Sequence, residues 1–98
     1  MTIFAVEYVY GTGTDAARDE HRPEHRAFLA SLTDAEGVSL VASGPYADGS
    51  GALLILRAPD EARLASALQQ DPFNAQGLVA ALRTTAWIPA TGELAHHA

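Results

Sequence analysis

The sequence has no cysteine and no lysine in its 98 residues. The first absence removes disulfide frameworks, thiolate zinc sites, iron–sulfur clusters and thiol nucleophiles. The second removes Schiff-base chemistry on a lysine amine. Arginine is the only fixed cation. With six arginines against twelve acids the formal net charge is −6, a balance that argues against a nucleic-acid partner. Long apolar runs are missing too. Ala52 to Leu56 is typical of those present, far below the roughly 20 residues of a membrane span. Glu7 interrupts the N-terminal apolar stretch before it reaches signal-segment length. These features lead us to expect a cytoplasmic protein without membrane association. Gly11-Thr12-Gly13 and Gly49-Ser50-Gly51 are too short for phosphate loops and read as turns. No flavin, nicotinamide or metal-binding motif is visible, so the expected cofactor set is empty.

What remains suffices for one domain, here residues 1–89, followed by a tail at 90–98. The chain is 48% hydrophobic and 18% charged, a globular rather than a disordered composition. One core of this size leaves only about 5–15 kcal/mol of net stability, so association with a second copy is expected.

Thr2 to Tyr10 is β-branched and aromatic and predicts a strand. Phe4, Val6, Tyr8 and Tyr10 share one face, and Ile3, Ala5, Glu7 and Val9 the other. After a polar connection, Asp15 to Glu20, Pro23 suits the first turn of a helix. His25, Phe28, Leu29 and Leu32 then recur at helical spacing, with Glu24, Arg26 and Asp34 elsewhere, and Gly37 marks the stop. Val38 to Ala42 predicts a second strand closed by Ser43-Gly44-Pro45, and Asp48-Gly49 is the tight point of the next turn. Ala52 to Arg57 predicts a third strand. Asp60 caps a second helix to Gln70 with Leu64, Ala65 and Leu68 inward, and Asp71-Pro72 opens a short helical turn. The last strand lies within Leu78 to Ile88.

This order is β-α-β-β-α-β, an α+β ferredoxin-like antiparallel sheet with both helices on one face. The opposite face, carrying Ile3, Ala5 and Val9, has no element left to cover it. Sheet-to-sheet packing of a homodimer, as in a dimeric α+β barrel, is the expected solution.

His25 shares the apolar stripe of its helix and so points inward. In a first turn the helix dipole disfavours the imidazolium by about 0.3–1 kcal/mol, which leaves a usable general base. Asp71 is an acid of the right type to orient it, through whichever carboxylate oxygen capping leaves free. The residues equally allow a core histidine bonded to backbone and an ordinary N-cap aspartate, and spacing alone does not bring the two together. His21 and His25 stand four apart, but Pro23 between them places His21 outside the helix, so the pair makes a poor metal site. Arg22 can hold an anion with its guanidinium fork or pair with a neighbouring acid at the surface.

Arg22-Pro23-Glu24-His25, Ser43-Gly44-Pro45 and Asp71-Pro72-Phe73, following a strand that ends Tyr-Val-Tyr, resemble the YciI-like (YCII-related) family. The resemblance implies a dimeric α+β barrel with a site built on a histidine–aspartate pair, here His25 and Asp71. Arg22, Gly44 and Pro45 would line the pocket, with aromatic lining from Phe4, Tyr8, Phe73 and Trp87. Family members often carry Gly-Ser where this chain has Gly51-Ala52; Ser50 is the nearby hydroxyl. The implied activity is cofactor-independent acid–base chemistry of lyase, isomerase or dehalogenase type on a small organic or aromatic molecule. A non-catalytic metabolite-binding module and a cofactor-free monooxygenase of the same barrel are the alternatives.

Overall fold

A computed structural model describes residues 1–32 and 37–98. The elements are β1 (Thr2–Tyr10), α1 (Asp15–Ser31), β2 (Ser39–Pro45), β3 (Gly51–Ala58), α2 (Glu61–Leu68), α3 (Pro72–Ala75) and β4 (Val79–Ala86), with a 3-10 turn at Ala95–His97 inside the expected tail. The four strands form one sheet in the order β2-β3-β1-β4, with every neighbour antiparallel. This is the α+β ferredoxin-like arrangement. Among the described residues no helix is long and apolar enough to cross a membrane.

Register sorts the side chains. Phe4 pairs with Leu56, Val6 with Leu54 and Tyr8 with Ala52; directly opposed residues point to the same side of a sheet. Those six join Leu29, Val38, Ala58, Leu64 and Leu68 in the core between sheet and helices. On α2 the inward stripe is Leu64 and Leu68 with half-buried Ala67, whereas Ala65, expected inside, is exposed. The reason is that Leu64, Ala67 and Leu68 stand at i, i+3 and i+4 on one face, which Ala65 does not share; the Asp60 side chain caps the helix by accepting from the Arg63 backbone N–H. Ile3 and Ile55 are already buried on the opposite face, while Val9 and Leu53 stay exposed there at 50% and 36%.

The main departure from the sequence reading is α1. It begins at Asp15 rather than Pro23, so Pro23 lies inside it and His21 is helical. Ion pairs one turn apart, Arg18 with Asp15 and Arg22 with Asp19, brace the first half of the helix. Pro23 is exposed, where water can take up the carbonyl its missing N–H leaves free. The helix ends at Ser31 with an extended C-cap at Leu32; Asp34 lies outside the described residues.

Ser43-Gly44-Pro45 does not close β2 but forms its last residues, and a proline is admissible because β2 is a sheet edge. Gly49, at φ +76°, turns the chain as expected, and Gly51 is required by crowding. A Cβ there would stand 1.9 Å from the Tyr8 carbonyl oxygen.

Candidate active site

Asp71 caps α3 and is completely buried. Its Oδ1 accepts the Phe73 backbone N–H at 3.0 Å and lies 2.7 Å from His25 Nδ1. Its Oδ2 accepts the Tyr8 hydroxyl at 2.8 Å. Capping and imidazole contact therefore use the same oxygen, and the one expected to be free is held by Tyr8. Asn74 Nδ2 donates to the Tyr8 oxygen and to the Leu68 carbonyl, each at 2.9 Å. The resulting chain runs from the α2 C-terminus through Asn74, Tyr8 and Asp71 to His25.

This network fixes the imidazole. A carboxylate that accepts from a hydroxyl and an N–H acts as an acceptor toward Nδ1 as well, so Nδ1 carries the proton and donates it. Nε2 is then the lone-pair nitrogen. It has no hydrogen-bond partner among the described residues, and it is not sealed from solvent. The ring stacks on Phe73 with centroids 4.0 Å apart and planes 3° from parallel. Phe73 in turn meets the edge of Tyr10 at 6.0 Å, and the Arg18 guanidinium lies 3.9 Å over the Tyr10 ring.

His25 sits in the middle of α1, so the first-turn dipole argument does not apply to it. Its orientation comes from Asp71 and Phe73 instead. His21 bonds Glu24 at 3.3 Å, whereas His25 bonds Asp71, and no cluster of three metal-ligating side chains occurs among the described residues.

The histidine opens on a cleft of about 520 Å³ between α1 and the β2–β3 hairpin. Its walls include Arg22, Gly44, Pro45 and Phe73, all expected from the sequence, together with Tyr10, Arg18, Arg26, Ser43 and Tyr46. Tyr8 does not reach the cleft. It is fully buried behind Asp71, and burial, followed by the Asp71 charge and hydrogen bond, holds its phenol far above the ordinary range. Phe4 belongs to the core, and Trp87 follows the end of β4, away from the cleft.

Arg18, Arg26, Tyr10 and Asn74 escaped the sequence reading. Starting α1 at Pro23 hid the i, i+4, i+8 recurrence of Arg18, Arg22 and Arg26. For Asn74 no local signal existed, because its partners lie in β1 and at the end of α2.

No curated protein matches the chain. Among solved structures it is similar to 5-chloro-2-hydroxyhydroquinone dehydrochlorinase from Burkholderia phenoliruptrix AC1100, in complex with 2,5-dihydroxybenzoquinone. That match has TM-score 0.75 and 26% identity, over 87% of this chain and 92% of that one. It shares its fold with Rv0793 from Mycobacterium tuberculosis, at TM-score 0.57 and 16% identity over 94% and 97% of the two chains. A NIPSNAP domain protein from Burkholderia xenovorans gives TM-score 0.55 and 13% identity over 93% and 96%. The family profile of the YCII-related domain matches residues 3–88, and the chain belongs to that family.

Proposed function

We propose that this protein is a cofactor-independent acid–base enzyme acting on a small hydroxylated aromatic or quinone-like molecule, with His25 as the proton carrier and Asp71 as its orienter. The observation that carries the reading is the 2.7 Å contact between His25 Nδ1 and Asp71 Oδ1, which leaves Nε2 as the basic nitrogen at a cleft of ring-accommodating size. Nε2 takes a proton from a ring hydroxyl and returns it to a ring carbon, a tautomerisation balanced in atoms and electrons. Where that carbon bears a halogen, Nε2, free again, takes a second hydroxyl proton as that oxygen forms a C=O bond, the C–halogen bond breaks and halide leaves; the proton then passes to solvent. Asp71 stabilises the transient imidazolium without itself being protonated. The dehydrochlorinase similarity favours this elimination over the binding-module and monooxygenase alternatives. In this reading two copies pack their open sheet faces together, burying Val9 and Leu53.

Chloride release from a chlorinated hydroxyhydroquinone tests the proposal. The parent protein is expected to turn it over, and His25→Gln to lose about 10²–10⁴-fold in kcat, the usual worth of a positioned general base. Asp71→Asn removes the charge that stabilises the imidazolium, its amide oxygen staying on the Phe73 N–H, and is expected to lose a comparable factor. Full activity in both variants overturns the reading.

A further inference from the structure

The walls of the cleft have a one-sided charge. Half of the chain's six arginines, Arg18, Arg22 and Arg26, line it, and among the described residues no acid does. In a protein of net charge −6 this is a local reversal of sign. The three arginines stand at i, i+4 and i+8 on α1, a single stripe of the helix, and His25 lies in the same stripe. Their circumstances differ. Arg18 is buried at 7%, paired with Asp15, bonded through Nε to Thr14 at 3.1 Å and laid over Tyr10. Arg22 is partly exposed and paired with Asp19. Arg26 is exposed and has no ion-pair or hydrogen-bond partner among the described residues. Charge from this stripe reaches into the cleft. Burial holds the Tyr10 phenol above its ordinary value, the Arg18 and Arg22 charges pull it part of the way back, and the Asp71 charge adds to the rise.

A low-dielectric wall lined by one sign of charge concentrates the opposite sign beside it, and a guanidinium presents a fork matched to a planar oxyanion. From the guanidiniums of Arg22 and Arg26 flanking His25 in a cleft whose described lining contains no acid, we infer that the ligand is bound as an anion. It is a planar ring bearing an ionised hydroxyl or a carboxylate, whose charged oxygen is received by Arg26 with Arg22 beside it. Arg18, already fully engaged, holds Tyr10 in place instead. This deepens the acid–base reading and rests on it for what happens to the ligand, but it concerns binding alone. A pre-ionised ring oxygen held by arginine also leaves His25 to act on the remaining, less acidic proton.

Calorimetric titration of the full chain with three probes separates the possibilities: lawsone, a hydroxynaphthoquinone ionised at neutral pH; its uncharged methyl ether; and naphthoate. Lawsone or naphthoate is expected to bind and the ether to bind at least about tenfold more weakly, the scale of a charge-assisted hydrogen bond. Preference between the two anions identifies the charged oxygen as enolic or carboxylic. Arg26→Gln is expected to remove most of the anion preference, Arg22→Gln part of it, and Arg63→Gln, on α2 away from the cleft, none. His25→Gln should keep the anion preference while losing turnover, so failure here is distinguishable from failure of the catalytic proposal. Equal affinity for lawsone and its ether, anion binding undiminished in Arg26→Gln, or no binding of either anion overturns the inference.

Discussion

Asp71 carries three hydrogen bonds on two oxygens, and Tyr8 holds the far one. Tyr8→Phe keeps the ring's packing but leaves Oδ2 and the Asn74 amide each short of a partner, at a cost of about 1–3 kcal/mol. It also changes the alkaline limb of stability. Below the ordinary phenol value of 10.0 Tyr8 is protonated in both the folded and unfolded chains. Above it the unfolded chain releases the proton while the folded chain keeps it, so stability falls as pH rises. The slope from one such group is up to about 1.4 kcal/mol per pH unit. Denaturant unfolding between about pH 9 and pH 11 is expected to show this slope in the parent and a much shallower one in Tyr8→Phe, Tyr10 and Tyr46, whose phenols are also raised, supplying what remains. At this scale short motifs in the sequence singled out His25 and Asp71, which the fold brings into contact, and Arg22, Gly44, Pro45 and Phe73, which stand around the cleft. It misplaced Tyr8 in the lining because alternation tells which face of a strand a side chain takes, not which layer behind that face it stops in.

Strand β3 can run close to β1 only because Gly51 has no side chain. Gly51→Ala drives a methyl into the Tyr8 carbonyl oxygen, which is backbone and cannot swing aside. The expected loss is about 1–3 kcal/mol, read as a lower denaturation midpoint. Because Tyr8 is the residue displaced, the His25 site is expected to suffer as well. Gly44, with nothing within 4 Å of a Cβ and no positive φ, is the control: Gly44→Ala should change stability by no more than about 0.5 kcal/mol. All four strands and the caps at Asp60 and Asp71 were legible because period-two alternation and cap chemistry are local. The start of α1 was not. Pro23 is an N1 signal in isolation, and only the Arg18 and Arg22 ion pairs, with the solvent-facing position of the proline, reveal that the helix runs through it.

For the whole molecule, one face of the sheet is covered by helices and the other leaves Val9 and Leu53 in water. If a second copy seats there as proposed, sedimentation should give about twice the 10.3 kDa chain mass, and Leu53→Asp should shift the species to monomer by burying an unpaired carboxylate. A parent that sediments as a monomer at all concentrations refutes that assembly. The cleft lies on the opposite side of the sheet, where its two halves have separate supports. Imidazole and carboxylate hang from α1, α3 and β1, whereas Ser43, Gly44, Pro45, Tyr46, Ala47 and Gly49 of the hairpin enclose the ligand volume without any hydrogen bond to either group. The hairpin is thus an interchangeable rim: a laboratory or a lineage could recut it for differently shaped guests and leave the His25–Asp71 contact standing.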